Sequence, residues 1–208
     1  MKVSYYGQYV NAMQLCLERV EVTDRGGSSV SNEDWLTRIG DMTEEVKTSK
    51  GRFFFAGNGA SAAFASHMSL DWSKNGGVPA IPLLDLSHLT ALGNDLGYDE
   101  VFSTPVGWHG KPSDLLVTIS SSGNSPNIIR AIEVAREKGL KVITFTGLKP
   151  ENRSRTMGDL NIYVPAKTYG IVECAHQVLL HAWLDYSMGV TEWDRDEVQN
   201  MRADEFKL

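Results

Sequence analysis

A chain of 208 residues is long enough to form one domain with a sizeable buried core. Its formal net charge of −6 and pI near 5.4 argue against a nucleic-acid-binding surface, which is usually basic. The two cysteines, Cys16 and Cys174, are far apart in the sequence, which argues against a disulfide framework and favours a cytoplasmic, reducing compartment. No apolar run resembles a signal peptide or reaches the ~20 residues that span a membrane, so we expect no membrane partner.

The N-terminal quarter of the chain is predicted to be helical. Apolar residues recur at helical spacing over residues 3–22 and again over 33–48, and the polar residues 24–34 between them are predicted to form a loop. Both helices precede the first predicted strand. We therefore divide the chain into an N-terminal helical segment (1–50), an α/β domain (51–190) and a charged C-terminal tail (191–208).

From residue 51 onward, short apolar segments alternate with helical ones. The strands are predicted at residues 53–56, 79–84, 114–119, 141–147 and 161–165. Helical segments are predicted at residues 62–74, 85–102 (mixed with loop), 124–138 and 169–189. Continuously apolar strands are typical of a parallel sheet that is covered on both faces, so we predict a three-layer α/β/α sandwich.

Two turns rich in glycine and serine follow predicted strands: GNGAS at 57–61 and ISSSGNSPN at 119–127. Neither turn matches the GxGxxG or Walker patterns of nucleotide-binding proteins. Both place hydroxyl groups before a helix N-terminus, whose free N–H groups attract an anion, at the sheet edge where ligands gather. Such turns also serve as ordinary helix caps. The occurrence of two in one domain favours a site for a phosphate monoester held by uncharged donors.

Candidate acid–base or metal-binding side chains lie on two helices. His67 and Asp71 are four residues apart and share a helix face, an arrangement that suits half of a metal site or a simple surface contact. Glu173 and His181 are eight residues apart, roughly 12 Å along a helix axis. One metal ion would contact both only if the two side chains reach toward each other or Glu173 lies in an irregular first turn. For His88 and His176 the sequence does not decide between a catalytic and a structural role.

The chain resembles the SIS-domain sugar-phosphate isomerases, and among them most closely the phosphoheptose isomerases. The resemblance is carried, in order, by GNGAS, DLSHLTALGNDLGYDEVF, ISSSGNSPN, AREKGLKVITFTG and an H-x4-H pattern on the last helix. It implies an α/β/α fold with a five-stranded parallel sheet. It also implies a homotetramer in which the N-terminal helices pack together and the active sites lie at subunit interfaces. The implied reaction converts sedoheptulose 7-phosphate to an aldose through an enediol, with zinc bound in some members.

The resemblance also implies roles for individual residues. The substrate-binding positions of the family map to Asn58, Ser61, Asp95, Ser120, Ser121, Ser122 and Ser125. The catalytic base and acid map to Asp71 and His181. The zinc positions map to His67, Asp71, Glu173 and His181.

The chain departs from the common pattern of this family at three positions. Asp71 stands where glutamate is usual, Glu173 stands where glutamine is usual, and Gly170 replaces an acidic residue. Relative to the family pattern, the side chain at position 173 is thus charged instead of neutral, and the acidic side chain at position 71 is one methylene shorter. These departures favour a subtype that holds its metal more firmly or acts on a different sugar.

Two alternatives to this interpretation stay open. The protein could be a non-catalytic SIS-domain protein that binds a phosphosugar or associates with another protein, as a DnaA-associating member does. It could also be an isomerase of a pentose or hexose phosphate. The joint presence of His67, Asp71 and His181 favours an enzyme, because a pure scaffold has no need of these three side chains together.

Overall fold

The computed structural model describes residues 4–190. Its strands are β1 (Glu21–Asp24), β2 (Ser29–Val30), β3 (Phe53–Gly57), β4 (Ala80–Pro82), β5 (Leu115–Ser120), β6 (Lys141–Gly147) and β7 (Leu160–Val164). Its α-helices are α1 (Tyr5–Glu18), α2 (Trp35–Thr48), α3 (Ala60–Lys74), α4 (Leu86–Asp95), α5 (Ser103–His109), α6 (Pro126–Glu137) and α7 (Tyr169–Met188). Two 3₁₀ turns cover Tyr98–Glu100 and Ser154–Thr156.

The sheet of the described chain has seven strands in the order β2-β1-β7-β6-β5-β3-β4. The five strands β3 to β7 run parallel, and each overlaps a strand predicted from the sequence. The prediction of a five-stranded sheet is nevertheless wrong, because β1 and β2 form an antiparallel hairpin that extends the sheet beside β7. The core architecture, helices on both faces of a mostly parallel sheet, is confirmed.

The added hairpin arises from turn chemistry within residues that were predicted to be helix end and loop. The Oδ1 atom of Asp24 accepts hydrogen bonds from the backbone N–H groups of Gly26 and Ser28, both at 2.9 Å. Gly27 has a φ of +81°, which a glycine adopts without steric cost. Strands of four and two residues are too short to show a hydrophobic period. The hairpin precedes residue 51 in the chain but belongs to the sheet. The domain boundary at residue 51 stays a prediction.

Two hydrophobic layers cover the sheet because successive residues of each strand point to opposite faces. Phe53 and Phe55 pack with residues of α1, α2, α3 and α7 on one face. Phe54 packs with residues of α4, α5 and α6 on the other. All three phenylalanines are essentially inaccessible to solvent, as expected for a sheet buried on both faces.

An aromatic cluster fixes α3 against α7. The rings of Trp72 and Trp183 lie 4.7 Å apart, and the Trp72 ring lies 5.0 Å from Phe53. Trp183 Nε1 donates a hydrogen bond to Thr43 Oγ1 at 2.9 Å, which ties α7 to α2 as well. Truncating a buried tryptophan of this kind costs about 3–5 kcal/mol. These contacts determine which faces of α3 and α7 meet, and therefore which polar side chains approach each other.

The predicted charged tail, residues 191–208, lies outside the described residues. Within residues 4–190, no helix combines the length and the hydropathy that crossing a lipid bilayer requires.

Candidate active site

The loop that contains Asn152 and Ser154 holds the backbone of the serine turn after β5. Gly123 has a φ of +60°, and a Cβ at this position would lie 2.0 Å from Asn152 Oδ1, so only glycine fits. The carbonyl oxygen of Gly123 accepts hydrogen bonds from both the backbone N–H and the hydroxyl of Ser154, each at 2.9 Å. These contacts fix the backbone of the turn, and with it the positions of its serine side chains.

The turn keeps hydrogen-bonding groups that the protein itself does not use. Ser125 occupies the N-cap position of α6, but its hydroxyl makes no capping hydrogen bond. The hydroxyl of Ser121 is buried and has no partner within the described chain. A buried hydroxyl without a partner is unfavourable unless a ligand or water satisfies it. These serines therefore do not act as ordinary caps, and the free N-terminus of α6 adds a partial positive charge beside them.

The serines line a pocket of about 180 Å³ at the carboxyl edge of β3 and β5. Six of the seven predicted substrate residues line it, namely Asn58, Ser61, Ser120, Ser121, Ser122 and Ser125. Tyr169 and Glu173 from the start of α7 complete the wall together with Ile119. No lysine or arginine among residues 4–190 lines the pocket, so an anion would be bound by hydroxyls, amides and the α6 N-terminus. Glu173 adds a carboxylate to the wall, which would repel an anion unless a cation or a proton compensates it.

Asp95 is the predicted substrate residue that the structure does not bring to the pocket. It is the last residue of α4, it is exposed, and its Oδ1 accepts a hydrogen bond from Asn94 Nδ2 at 2.7 Å. In a single chain this carboxylate faces solvent. Its assignment as a substrate contact stays a prediction.

A second cluster brings together His67, Asp71 and His181. His67 Nε2 lies 3.2 Å from Asp71 Oδ2, and the ring of His181 lies 5.3 Å from the ring of His67. One potential ligand atom of each residue lies within 4.8 Å of the others, close enough for one metal ion to contact all three. Two imidazoles and a carboxylate are a common ligand set for catalytic zinc, and such sites keep a fourth position open. The residues therefore fit a zinc ion.

Glu173 does not join this cluster in the described chain. It lies within the regular part of α7, two helical turns from His181, so an irregular first turn does not shorten the separation. Its assignment as a fourth ligand stays a prediction that needs a contribution from outside the single chain. The cluster and the serine pocket thus lie at different positions along α3 and α7. Ser61 precedes Asp71 by ten residues on α3, which corresponds to roughly 15 Å along the helix axis.

The two other predicted histidines have separate environments. His88 is half-exposed, and its Nδ1 lies 3.9 Å from Asp85 Oδ1, the carboxylate that caps α4. His176 is fully buried, and its Nε2 lies 3.0 Å from the carbonyl oxygen of Thr146. Burial lowers the pKa of His176 from its ordinary 6.5 to about 4, so it is neutral near pH 7 and Nε2 donates this hydrogen bond. Neither histidine lines the serine pocket.

The structure adds residues that sequence reasoning missed. Asn127 and Tyr98 both form hydrogen bonds with the side chain of Asn58. Tyr169 lies in the pocket wall. Asn127 stands within the serine motif itself, in ISSSGNSPN, which was the available signal. Tyr98 stands within DLSHLTALGNDLGYDEVF, but nothing in the sequence indicated its contact with Asn58, 40 positions away.

Comparison with known proteins identifies the family. The SIS-domain family model matches residues 8–147, which is more than half of the chain. The chain belongs to the SIS-domain family. The phosphoheptose isomerase of Rhodospirillum rubrum is 40% identical over 164 residues, covering 71% of this chain and 87% of that protein. The phosphoheptose isomerase of Yersinia pestis is 41% identical over 140 residues, covering 65% of this chain and 72% of that protein.

Solved structures of SIS-domain proteins agree with this assignment. The phosphoheptose isomerase of Neisseria gonorrhoeae superposes with a TM-score of 0.73 and 31% identity, covering 87% of this chain and 94% of that one. The SIS-domain match includes both glycine–serine turns and α3. The fold and the family predicted from the sequence are therefore confirmed.

Proposed function

We propose that this SIS-domain protein is an aldose–ketose isomerase that converts sedoheptulose 7-phosphate to a heptose 7-phosphate. The observation that carries the proposal is the serine pocket, with its unpartnered Ser121 hydroxyl and its uncapped α6 N-terminus. This donor set suits the phosphate of a sugar and uses no fixed positive charge. The relatives named phosphoheptose isomerase support the same class of substrate.

The phosphate would anchor one end of the open-chain sugar. Ser120, Ser121, Ser122 and Ser125 would donate hydrogen bonds to its oxygens, with Asn58 and Ser61 on the other side of the pocket. Binding energy gained at the phosphate holds the distant carbonyl end in place for reaction. Because the donors are neutral, substrate and product would both leave readily.

The acid–base chemistry would fall to Asp71 and His181. Asp71 would remove a proton from C1 of the ketose, next to the C2 carbonyl, and the resulting enediol would regain a proton at C2. His181 would move the hydroxyl proton between O1 and O2, so that the carbonyl appears at C1. Protons are only relocated, and no external reactant is consumed. General acid–base groups placed in this way contribute about 10²–10⁴-fold each to the rate.

A zinc ion held by His67, Asp71 and His181 is part of the proposal. Their spacing and donor types support it. When bound, the metal would polarise the carbonyl oxygen and favour the ionised form of the neighbouring carboxylate. The proposed fourth ligand, Glu173, would have to come from another subunit, given its place on α7.

We propose a homotetramer with active sites at subunit interfaces, in which the serine pocket of one subunit faces the acid–base cluster of another. The separation of pocket and cluster within one chain supports this arrangement. Helix α1 also exposes large apolar side chains, Tyr5, Tyr6, Val10 and Leu15, of which Tyr5 is 84% exposed. Such a face is typical of an oligomer contact. The two unpaired cysteines support a cytoplasmic location.

The test is a screen of phosphorylated ketoses of five, six and seven carbons for isomerisation, with and without added zinc. The proposal expects sedoheptulose 7-phosphate to be converted fastest. Conversion of a shorter sugar phosphate at a higher kcat/KM would support the isomerase activity but assign it a different substrate. Binding of these sugars without conversion of any would favour the non-catalytic alternative.

A further inference from the structure

Three segments that are distant in the sequence meet at one side chain in the pocket wall. Asn58 follows β3, Asn127 is the second residue of α6, and Tyr98 lies in the 3₁₀ turn after α4. Asn58 Nδ2 donates to Asn127 Oδ1, and Asn127 Nδ2 donates to Asn58 Oδ1, both at 3.0 Å. The phenol of Tyr98 donates to the same Asn58 Oδ1 at 3.1 Å. The two glycine–serine turns are thus joined by a reciprocal amide pair.

The hydrogen-bond inventory of Asn58 determines what it can offer to a ligand. An amide oxygen accepts two hydrogen bonds and an amide nitrogen donates two. Both acceptor positions of Asn58 Oδ1 are filled, by Asn127 and Tyr98. The nitrogen makes one hydrogen bond within the described chain, which leaves one N–H free. Asn58 lines the pocket, and this N–H is the hydrogen-bonding position of its side chain that stays available to a ligand there.

We infer that Tyr98 and Asn127 are positioning residues that hold the Asn58 amide as a donor toward the phosphate. Flipping both amides together would keep the pair but turn the Asn58 oxygen toward the pocket, where it would repel an anion. The Tyr98 hydroxyl favours the donating orientation, because a phenol donates a hydrogen bond more strongly than it accepts one, and an amide oxygen opposite it lets it donate. Asn127 is 2% exposed, so its amide is shielded from bulk water and depends on Asn58 for this hydrogen bond. This inference rests on the proposed phosphate site, which it deepens.

Removal of the Tyr98 hydroxyl is the sharpest test. Tyr98 is 59% exposed, so Tyr98→Phe should fold normally. We expect it to raise the Kd for sedoheptulose 7-phosphate and for inorganic phosphate by about 3- to 10-fold, the usual net effect of one hydrogen bond, with kcat retained. Tyr186→Phe is the matched control. It removes a phenol whose oxygen lies 3.4 Å from Thr37 Oγ1, outside the pocket, and should leave both Kd values unchanged.

A double-mutant cycle separates positioning from direct contact. If Tyr98 acts through Asn58, Tyr98→Phe should have no effect in an Asn58→Ala background. An equal loss in both backgrounds would mean that Tyr98 contacts the ligand itself, and an unchanged Kd in Tyr98→Phe alone would mean that its hydroxyl does not matter; either result overturns the inference. Asn127→Asp should also weaken phosphate binding, because its carboxylate can accept a hydrogen bond from Asn58 but cannot donate one to it.

The same measurements keep this inference distinct from the proposed activity. Inorganic phosphate reports on the pocket even if no sugar is isomerised. Loss of isomerase activity in the wild type together with normal, Tyr98-dependent phosphate binding would reject the proposed reaction and retain the positioning role. Isomerisation by the wild type together with phosphate binding that does not depend on Tyr98 would retain the proposed reaction and reject the positioning role.

Discussion

His67 Nε2 lies 3.2 Å from Asp71 Oδ2, one turn further along α3. The carboxylate is mostly buried, with 17% of its side chain exposed, whereas the imidazole is half-exposed. His181 approaches the same pair from α7, so that three groups able to bind a metal or move a proton converge from two helices. Their convergence depends on the tryptophan contacts that fix α3 against α7.

Removal of either proposed acid–base group should abolish turnover. Asp71→Asn and His181→Ala should each lower kcat for sedoheptulose 7-phosphate by about 10²–10⁴-fold, since each proton transfer loses its catalyst. Substrate binding by isothermal titration and the oligomeric state by size-exclusion chromatography should be unchanged. His88→Ala, which alters a half-exposed histidine outside the cluster, is the control and should keep wild-type kcat. A variant of Asp71 or His181 that retains turnover would remove that residue from the mechanism.

Loss of a serine from the pocket should affect substrate binding more than the chemical step. Ser122→Ala removes one hydroxyl from the pocket wall, so we expect KM to rise by about 3- to 10-fold while kcat stays within a factor of two. Steady-state kinetics measures both constants. A fall in kcat at unchanged KM would mean that the phosphate is bound elsewhere.

Zinc content distinguishes the three-residue cluster from the four-residue site. His67→Ala should lower the zinc bound per subunit, measured by elemental analysis after exhaustive dialysis, because it removes one of three convergent ligands. Glu173→Ala should lower it as well if a second subunit supplies Glu173. Unchanged zinc in Glu173→Ala would leave Glu173 as a pocket residue alone, and unchanged zinc in His67→Ala would contradict the metal site.

The buried His176 should make the protein less stable in mild acid. Its pKa is lowered from 6.5 to about 4 by burial, so the unfolded chain binds a proton that the folded chain does not between these pH values. The contribution is fully present above pH 6.5 and is lost as the pH falls toward 4, amounting to about 3 kcal/mol. The free energy of unfolding in urea at pH 7.5 and 5.0 measures the part that is lost by pH 5.0, about 2 kcal/mol. His176→Leu should reduce this difference, and an equal difference in the variant would contradict the assignment.

The parallel sheet was predictable because its main strands are continuously apolar and end in turn residues, as β3 does at Gly57 and β5 at Ser120. The hairpin at Asp24 was not, because two very short strands carry no periodic signal and their pairing depends on a local turn. Helix rise already placed Glu173 and His181 about two turns apart, and the structure keeps them apart. Contacts between distant segments, such as Asn58 with Asn127, left no trace in spacing or composition.

The central claim is that a sugar phosphate bound at the serine turn is isomerised by Asp71 and His181. The most direct measurement follows purified protein and sedoheptulose 7-phosphate by NMR in deuterated water, with zinc present. The account predicts appearance of the aldose together with deuterium at C1 or C2, and neither signal with Asp71→Asn. Saturable binding of the sugar with no aldose and no deuterium exchange in the wild-type protein would contradict it.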